Sequence, residues 1–270
     1  MYFMGNTSGE KPTVLIFAGH DPSGGAGLQA DIEAIGNNRC RAVSVITALT
    51  AQNTGKVGSV ISQSADAFAE QTDYLLEDIH IDACKIGLVA SAEIIDAIAQ
   101  KLKSLGTIPV VLDPVITAGT GDPLNEADTP KLIMEKLAPL SYIMTPNCEE
   151  ARRLTGAMEP DKAASILLET GCKAVLITSA ETNELEIINR LYLENGEKQD
   201  FPWKKLPGTY HGSGCTLAAS LAALLARNID IKLAVEQAQE YTWHSLANAQ
   251  QLGNYQLHPD RFFKLTGDNH

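Results

Sequence analysis

A chain of 270 residues with a hydrophobic fraction of 44% is long enough to bury a substantial core without help from metals or disulfides. Its formal net charge of -12 argues against a nucleic-acid groove or a docking face for anionic membranes, so any phosphate site must be local. The five cysteines (Cys40, Cys84, Cys148, Cys172 and Cys215) are odd in number, widely spaced and without a C-x-x-C pair, which points to a reduced compartment and away from a zinc knuckle.

The opening "MYFMGNTSGEK" (residues 1–11) lacks a long apolar stretch and is expected to be a loose leader, with residues 12–270 forming a single domain. No apolar run approaches the ~20 residues that span a bilayer, and the chain reads as a soluble cytoplasmic protein. "TVLIFAG" (13–19) is a buried strand, "LQADIEAIGNN" (28–38) a helix and "AVSVITAL" (42–49) a second strand. Next come an amphipathic helix in "SADAFAEQTDYLLEDI", a short strand in "DACKIG", a helix with a Ser N-cap and a Gly stop in "SAEIIDAIAQKLKSLG", and a strand in "IPVVLDP". "SYIMTPN" and "KAVLITSA" supply two more strands. Strands of continuous Val, Ile and Leu joined through helices predict an α/β fold, a mainly parallel, doubly wound sheet covered on both faces. "NELEIINRLYLENGEKQDFPW" (183–203) interrupts the alternation as a hairpin turning at Asn195 and Gly196, so antiparallel edge strands are expected late in the chain. Helices over 213–227 and 230–249 follow, and "QLGNYQLHPDRFF" reads as a surface segment.

In such sheets ligands sit beyond the carboxyl ends of the strands, and each strand of this chain runs there into small and polar residues. "GHDPSGGAGLQAD" offers Gly24, Gly25 and Gly27 for close backbone approach to a flat ligand, with Asp31 one helical turn on. It lacks the lysine of a Walker A loop and the spacing of a dinucleotide fingerprint, and a turn shaped only by packing is the plain alternative. Gln52 and Asn53 in "ALTAQNTGKVG" are amides of the kind that read a heteroaromatic edge, or else an ordinary turn. Asp113 ends the buried strand of "VVLDPVITAGTGDPL", where a carboxylate is costly unless it meets magnesium, an ammonium group or donors; capping a helix is its alternative role. Asn147 and Glu150 in "MTPNCEEARRLTG" stand three apart at a helix start, which suits a capping box as well as a ligand. In "HGSGCTL" the glycines leave N–H groups free ahead of an apolar helix, an anion hole for a transferring phosphoryl group. Cys215 lies in that positive end, which is expected to favour its thiolate; a buried structural cysteine is the alternative.

Taken together, "AGHDPSGGAGLQADIEA", "SVITALTAQNT", "KIGLV", "LDPV...GTGDPL", "TPNCEEARRLTG" and "HGSGCTLAASLA", spread in order over residues 13–227, resemble the signature blocks of the hydroxymethylpyrimidine kinase/phosphomethylpyrimidine kinase family, the thiamine-biosynthesis branch of the ribokinase-like superfamily. The resemblance implies a three-layer α/β/α sandwich, often a homodimer. It implies the use of ATP and Mg2+, with an assisting monovalent cation left open, to phosphorylate 4-amino-5-hydroxymethyl-2-methylpyrimidine to the monophosphate and then the diphosphate. By the same resemblance Gln52 reads the pyrimidine, with Gly19, Asp31 and Leu88 nearby. Asn147 and Glu150 organise magnesium through water, and Asp113 and Thr178 lie by the nucleotide phosphates. Gly212, Ser213 and Gly214 form the anion hole, and Cys215 stands where sugar-kinase relatives carry an aspartate base.

Two positions depart from the pattern: Gly119 and Thr178 stand where many family members carry lysine. Thr178 and Ser179 are similar to the pair found in pyridoxal kinases, whose substrate is also a hydroxymethyl heteroaromatic. A pyridoxal kinase on the same scaffold is the second reading, and a non-catalytic pyrimidine sensor the third. Lys85 in "CKIGL" is structural or pocket-lining, His211 orients its loop, and Tyr241 and Trp243 are packing residues.

Overall fold

The computed structural model describes residues 10–116, 124 and 126–266. The expected leader up to residue 9, and Gly119 with most of "GTGDPL", lie outside the described residues. Strands β1 (Thr13–His20), β2 (Arg41–Asn53), β3 (Lys56–Ser62), β4 (Ala83–Ile86), β5 (Val110–Leu112), β6 (Ile143–Met144), β7 (Ala174–Thr182), β8 (Glu186–Leu193) and β9 (Lys198–Lys204) make one sheet in the order β3-β2-β1-β4-β5-β6-β7-β8-β9. From β2 to β7 neighbouring strands pair in parallel, and β3 on one edge and β8 and β9 on the other run antiparallel.

The alternation of side chains along each strand sorts the core into two layers. On β1, Val14, Ile16 and Ala18 face helices α1 (Gly27–Asn37), α7 (Ser213–Ala226) and α8 (Ile231–Ala247). Leu15 and Phe17 face the opposite layer, built from α2 (Ala65–Asp78), α3 (Ala92–Ser104), α5 (Cys148–Thr155) and α6 (Pro160–Glu169). A four-residue helix α4 (Thr129–Leu132) precedes β6. The sandwich is therefore α/β/α, as expected. Helix α7 is apolar all round and correspondingly buried all round from Thr216 to Ala226.

Antiparallel pairing is not confined to the end of the chain, which corrects the expectation. β2 continues past residue 49 to Asn53, whose Oδ1 accepts from the amides of Gly55 (2.9 Å) and Lys56 (3.1 Å), and the chain returns as β3. The sequence hid β3 because "KVGSVIS" is an edge strand with much of its length exposed and so carries no continuous apolar run. No helix among the described residues is long and apolar enough to cross a membrane.

Candidate active site

The carboxyl ends of the parallel strands open on a cavity of about 500 Å³. Gly19, Gly27, Gln52, Leu88, Asp113, Asn147, Glu150, Thr178, Gly212, Ser213, Gly214 and Cys215 all border it; of the other residues the sequence offered for the site, Gly24, Gly25, Asp31 and Asn53 do not. Gln52 reaches the rim from β2 at a bulge between Ala51 and Gln52, an irregularity that re-aims a strand side chain. Gly19 lies against Leu88, whose Cδ2 would stand 2.8 Å from an added Cβ.

Two helices point their N-termini at this cavity, α1 after Ala26 and α7 after Gly212, and neither has a side-chain cap. By contrast Ser64, Ser91, Asn147 and Asp230 cap α2, α3, α5 and α8. The first amide of α1, Gly27 N–H, donates to Cys215; amides left free at the start of α7 and facing a cavity are what an anion needs.

Asp21, which the sequence reading passed over, organises the first loop. Its carboxylate accepts from Ser23 N (2.8 Å), Ser23 Oγ (2.9 Å) and Ala26 N (2.9 Å), and it pairs with His211 Nε2 at 2.8 Å. Burial pushes this carboxyl up, but the His211 contact and the loop amides outweigh it and hold the group down at about 2. The Asx-turn pattern of Asp-x-Ser was a signal available in the sequence. His211 thus ties the loop after β1 to the start of α7.

Asp31 lies beneath the cavity floor. Its Oδ2 meets Lys85 Nζ at 2.8 Å with both side chains fully buried. The strand alternation explains the encounter: Lys85 is two residues after Ala83 on β4 and shares its face, toward α1 and α7. Burial pushes Asp31 up to about 6, with Lys85 opposing. For Lys85 burial opposes the charge, and Asp31, Cys215 and Asp113 together raise it well above the usual range. Lys85 also borders the cavity, and it is the only lysine or arginine among the described residues that do. Lys85→Met leaves Asp31 buried without its cation and is expected to cost about 3–5 kcal/mol in denaturant unfolding. The double change with Asp31→Asn is expected to recover more than half of that loss.

Thiolate character at Cys215 is not what the structure gives. Burial pushes the thiol up to about 12; Lys85 lowers it, but Asp113 and Asp31 raise it further. The helix N-terminus is outweighed by an enclosed, carboxylate-rich setting, and the neutral thiol hydrogen-bonds the Asp113 carboxylate. Asp113 caps no helix, since residues 114–116 that follow it are not helical. Its Oδ2 is buried with no hydrogen-bond partner among the described residues. Asn147 and Glu150 form a complete capping box, each side chain bonded to the other's backbone N–H at 2.9 Å. Thr178 is brought beside them by its N–H bond to Pro146 O (2.9 Å).

A second cavity of about 280 Å³ adjoins the first, sharing Thr178, Ser179, Tyr210, Ser213 and Gly214. Trp243 borders it with its Nε1 held by Lys204 O at 2.9 Å, so this residue is not packing alone. Tyr241 is buried, as expected. The tail "QLGNYQLHPDRFF" is not a mere surface segment either: His258 and Arg261 are buried against the loop after β1. No local pattern in the sequence marks that long-range packing.

The family model for phosphomethylpyrimidine kinase matches residues 21–260. The chain belongs to this family. It is 36% identical to the hydroxymethylpyrimidine/phosphomethylpyrimidine kinase of Escherichia coli over 88% of its own length and 92% of the relative's. The crystal structure of phosphomethylpyrimidine kinase from Clostridium difficile superposes with a TM-score of 0.74 at 33% identity, covering 87% of this chain and 98% of that one. An ADP complex of Bacillus subtilis pyridoxal kinase superposes with a TM-score of 0.85 at 26% identity, covering 95% and 100%. The fold is accordingly ribokinase-like, and the family match takes in the cavity wall from Asp21 onward.

Proposed function

We propose that this protein transfers the γ-phosphoryl group of ATP to hydroxymethylpyrimidine and then to its monophosphate, making the diphosphate used in thiamine biosynthesis. The observation that carries the reading is the uncapped N-terminus of α7, which faces the same cavity as Gln52 and Leu88. Gln52 reads the edge of the pyrimidine, Leu88 and Gly19 take its face, and the amides of Gly212, Ser213 and Gly214 receive the charge that develops on the moving phosphoryl group. The nucleotide base occupies the adjoining cavity beside Trp243, with its phosphates passing Thr178 and Ser213. In the first transfer the alcohol proton passes to Cys215 Sγ as the thiol proton moves to Asp113, whose carboxyl burial already pushes up. In the second the acceptor is a phosphate monoester and no such proton has to leave.

Asp113 and Glu150 fit a magnesium ion held through water. Burial and then the neighbouring Asp113 charge push Glu150 up to about 8, burial outweighs Lys85 at Asp113, and Asp113 Oδ2 has no hydrogen-bond partner among the described residues, so the pair has room for a further cation. No cluster of three or more His, Cys, Asp or Glu able to grip a metal directly occurs among the described residues, which suits an ion that keeps its waters and leans on phosphate oxygens. Magnesium bound there would offset charge on the nucleotide phosphates. The same reading takes residues 12–270 as one domain, on the ground of its continuous sheet, and a cytoplasmic homodimer as the family's implied setting.

The higher TM-score to a pyridoxal kinase favours that activity as the second reading. Mass-resolved product analysis with magnesium ATP separates the two when hydroxymethylpyrimidine, its monophosphate and pyridoxal are offered singly. Pyrimidine diphosphate is expected from both pyrimidines. Phosphorylation of pyridoxal alone would move the protein to vitamin B6 salvage, and product from none of the three would leave a pyrimidine sensor.

A further inference from the structure

The segment after α8 packs against the β2–β3 turn, the loop after β1 and the stretch leading into α7. Gln256 N donates to Thr54 O (3.2 Å) in the β2–β3 turn, and the segment pairs with the stretch leading into α7 through Leu257 N to Thr209 O (2.9 Å) and His211 N to Leu257 O (2.9 Å). Arg261, only 2% exposed, closes the arrangement. Its Nη2 donates to Gly25 O at 2.5 Å and its Nη1 to Gly24 O at 3.4 Å. Its Nε donates to Thr216 Oγ1 at 2.9 Å, and that hydroxyl donates to Gly212 O at 2.8 Å. Glu33 balances the charge at 3.1 Å.

We infer that Arg261 is a positioning residue for phosphoryl transfer, its guanidinium fixing the loop after β1 against the start of α7. One rigid, planar fork grips both pieces, which a lysine ammonium has no geometry to do. The loop borders the acceptor's half of the cavity and the helix start borders the phosphoryl group's half, so the spacing between acceptor and phosphorus depends on this clamp. The inference rests on the kinase reading above.

The test compares wild type with Arg261→Ala and Arg261→Lys. Loss of alignment without loss of either binding surface is expected to lower kcat about 100-fold in Arg261→Ala while KM for acceptor and ATP stays within about threefold. Arg261→Lys is expected to recover little, and millimolar guanidinium to restore much of kcat to Arg261→Ala. Amide hydrogen exchange, which needs no turnover, is expected to rise about tenfold or more at the hydrogen-bonded amides of Gly24, Ala26, His211 and Thr216 in both variants. Unchanged kcat and unchanged exchange would overturn the inference, as would a fall in thermal midpoint with full activity per folded molecule. Wild type inactive on every acceptor would defeat the kinase reading instead, and the exchange data would then decide the clamp on their own.

Discussion

Gly212→Ala is expected to lower kcat by about 10²–10³-fold, the range seen when an oxyanion-hole donor is lost. Gly212 has φ +78, a left-handed conformation that costs an L-residue roughly 1–2 kcal/mol. There is also no room for a side chain: an added Cβ would overlap the Gly25 carbonyl and stand 2.8 Å from Ala26 Cα. Both obstacles are backbone, and the Gly25 carbonyl is held by Arg261. The chain must therefore shift where the amides of Ser213 and Gly214 are aimed. Steady-state kcat measured beside a thermal melt checks this, because the bulk of the core is remote and the melt should move by only a few degrees. Full turnover would mean that these amides do not face the transferring group.

Cys215→Asp is expected to divide the two reactions. A fixed carboxylate ~4 Å from an acceptor phosphate repels it by roughly 4 kcal/mol at an effective dielectric of 20, close to a thousandfold in rate. Asp113 and Asp31 already raise Cys215, so a third carboxylate compounds an existing excess of negative charge. An alcohol acceptor carries no charge to repel and can use the carboxylate as a base, so its loss should be about tenfold or less. Initial rates with the alcohol and with the monophosphate, measured separately, give the comparison; equal losses would show that the thiol does not serve to admit an anionic acceptor.

The layering of this fold was legible because Val, Ile and Leu strands of the parallel region announce themselves by composition. β3 was not, since an edge strand with exposed positions and Gly58 in its middle has no apolar run to display. The residues facing the cavity were legible through small motifs at strand ends, where Gln52, Asp113, Asn147 and the glycines before α7 stand out. What those motifs withheld was their electrostatics. A helix start beside Cys215 predicts a low thiol pKa, whereas burial among Asp31, Asp113 and Lys85 reverses it, and that grouping exists only once α1, β4, β5 and α7 have come together. Asp21 announced its turn locally, but its bond to His211 spans 190 positions of sequence, a distance over which no spacing rule operates.

Arg261 and the Gly25 carbonyl it holds are 236 positions apart. On a ribosome adding about 5–20 residues per second, the loop after β1 emerges roughly 10–50 s before the guanidinium that fastens it. A nascent chain can thus lay down its parallel strands in order while its phosphate pocket stays unassembled. Competence arrives only once Arg261 has emerged, and a product truncated before residue 261 is expected to be a folded shell with an unaligned site.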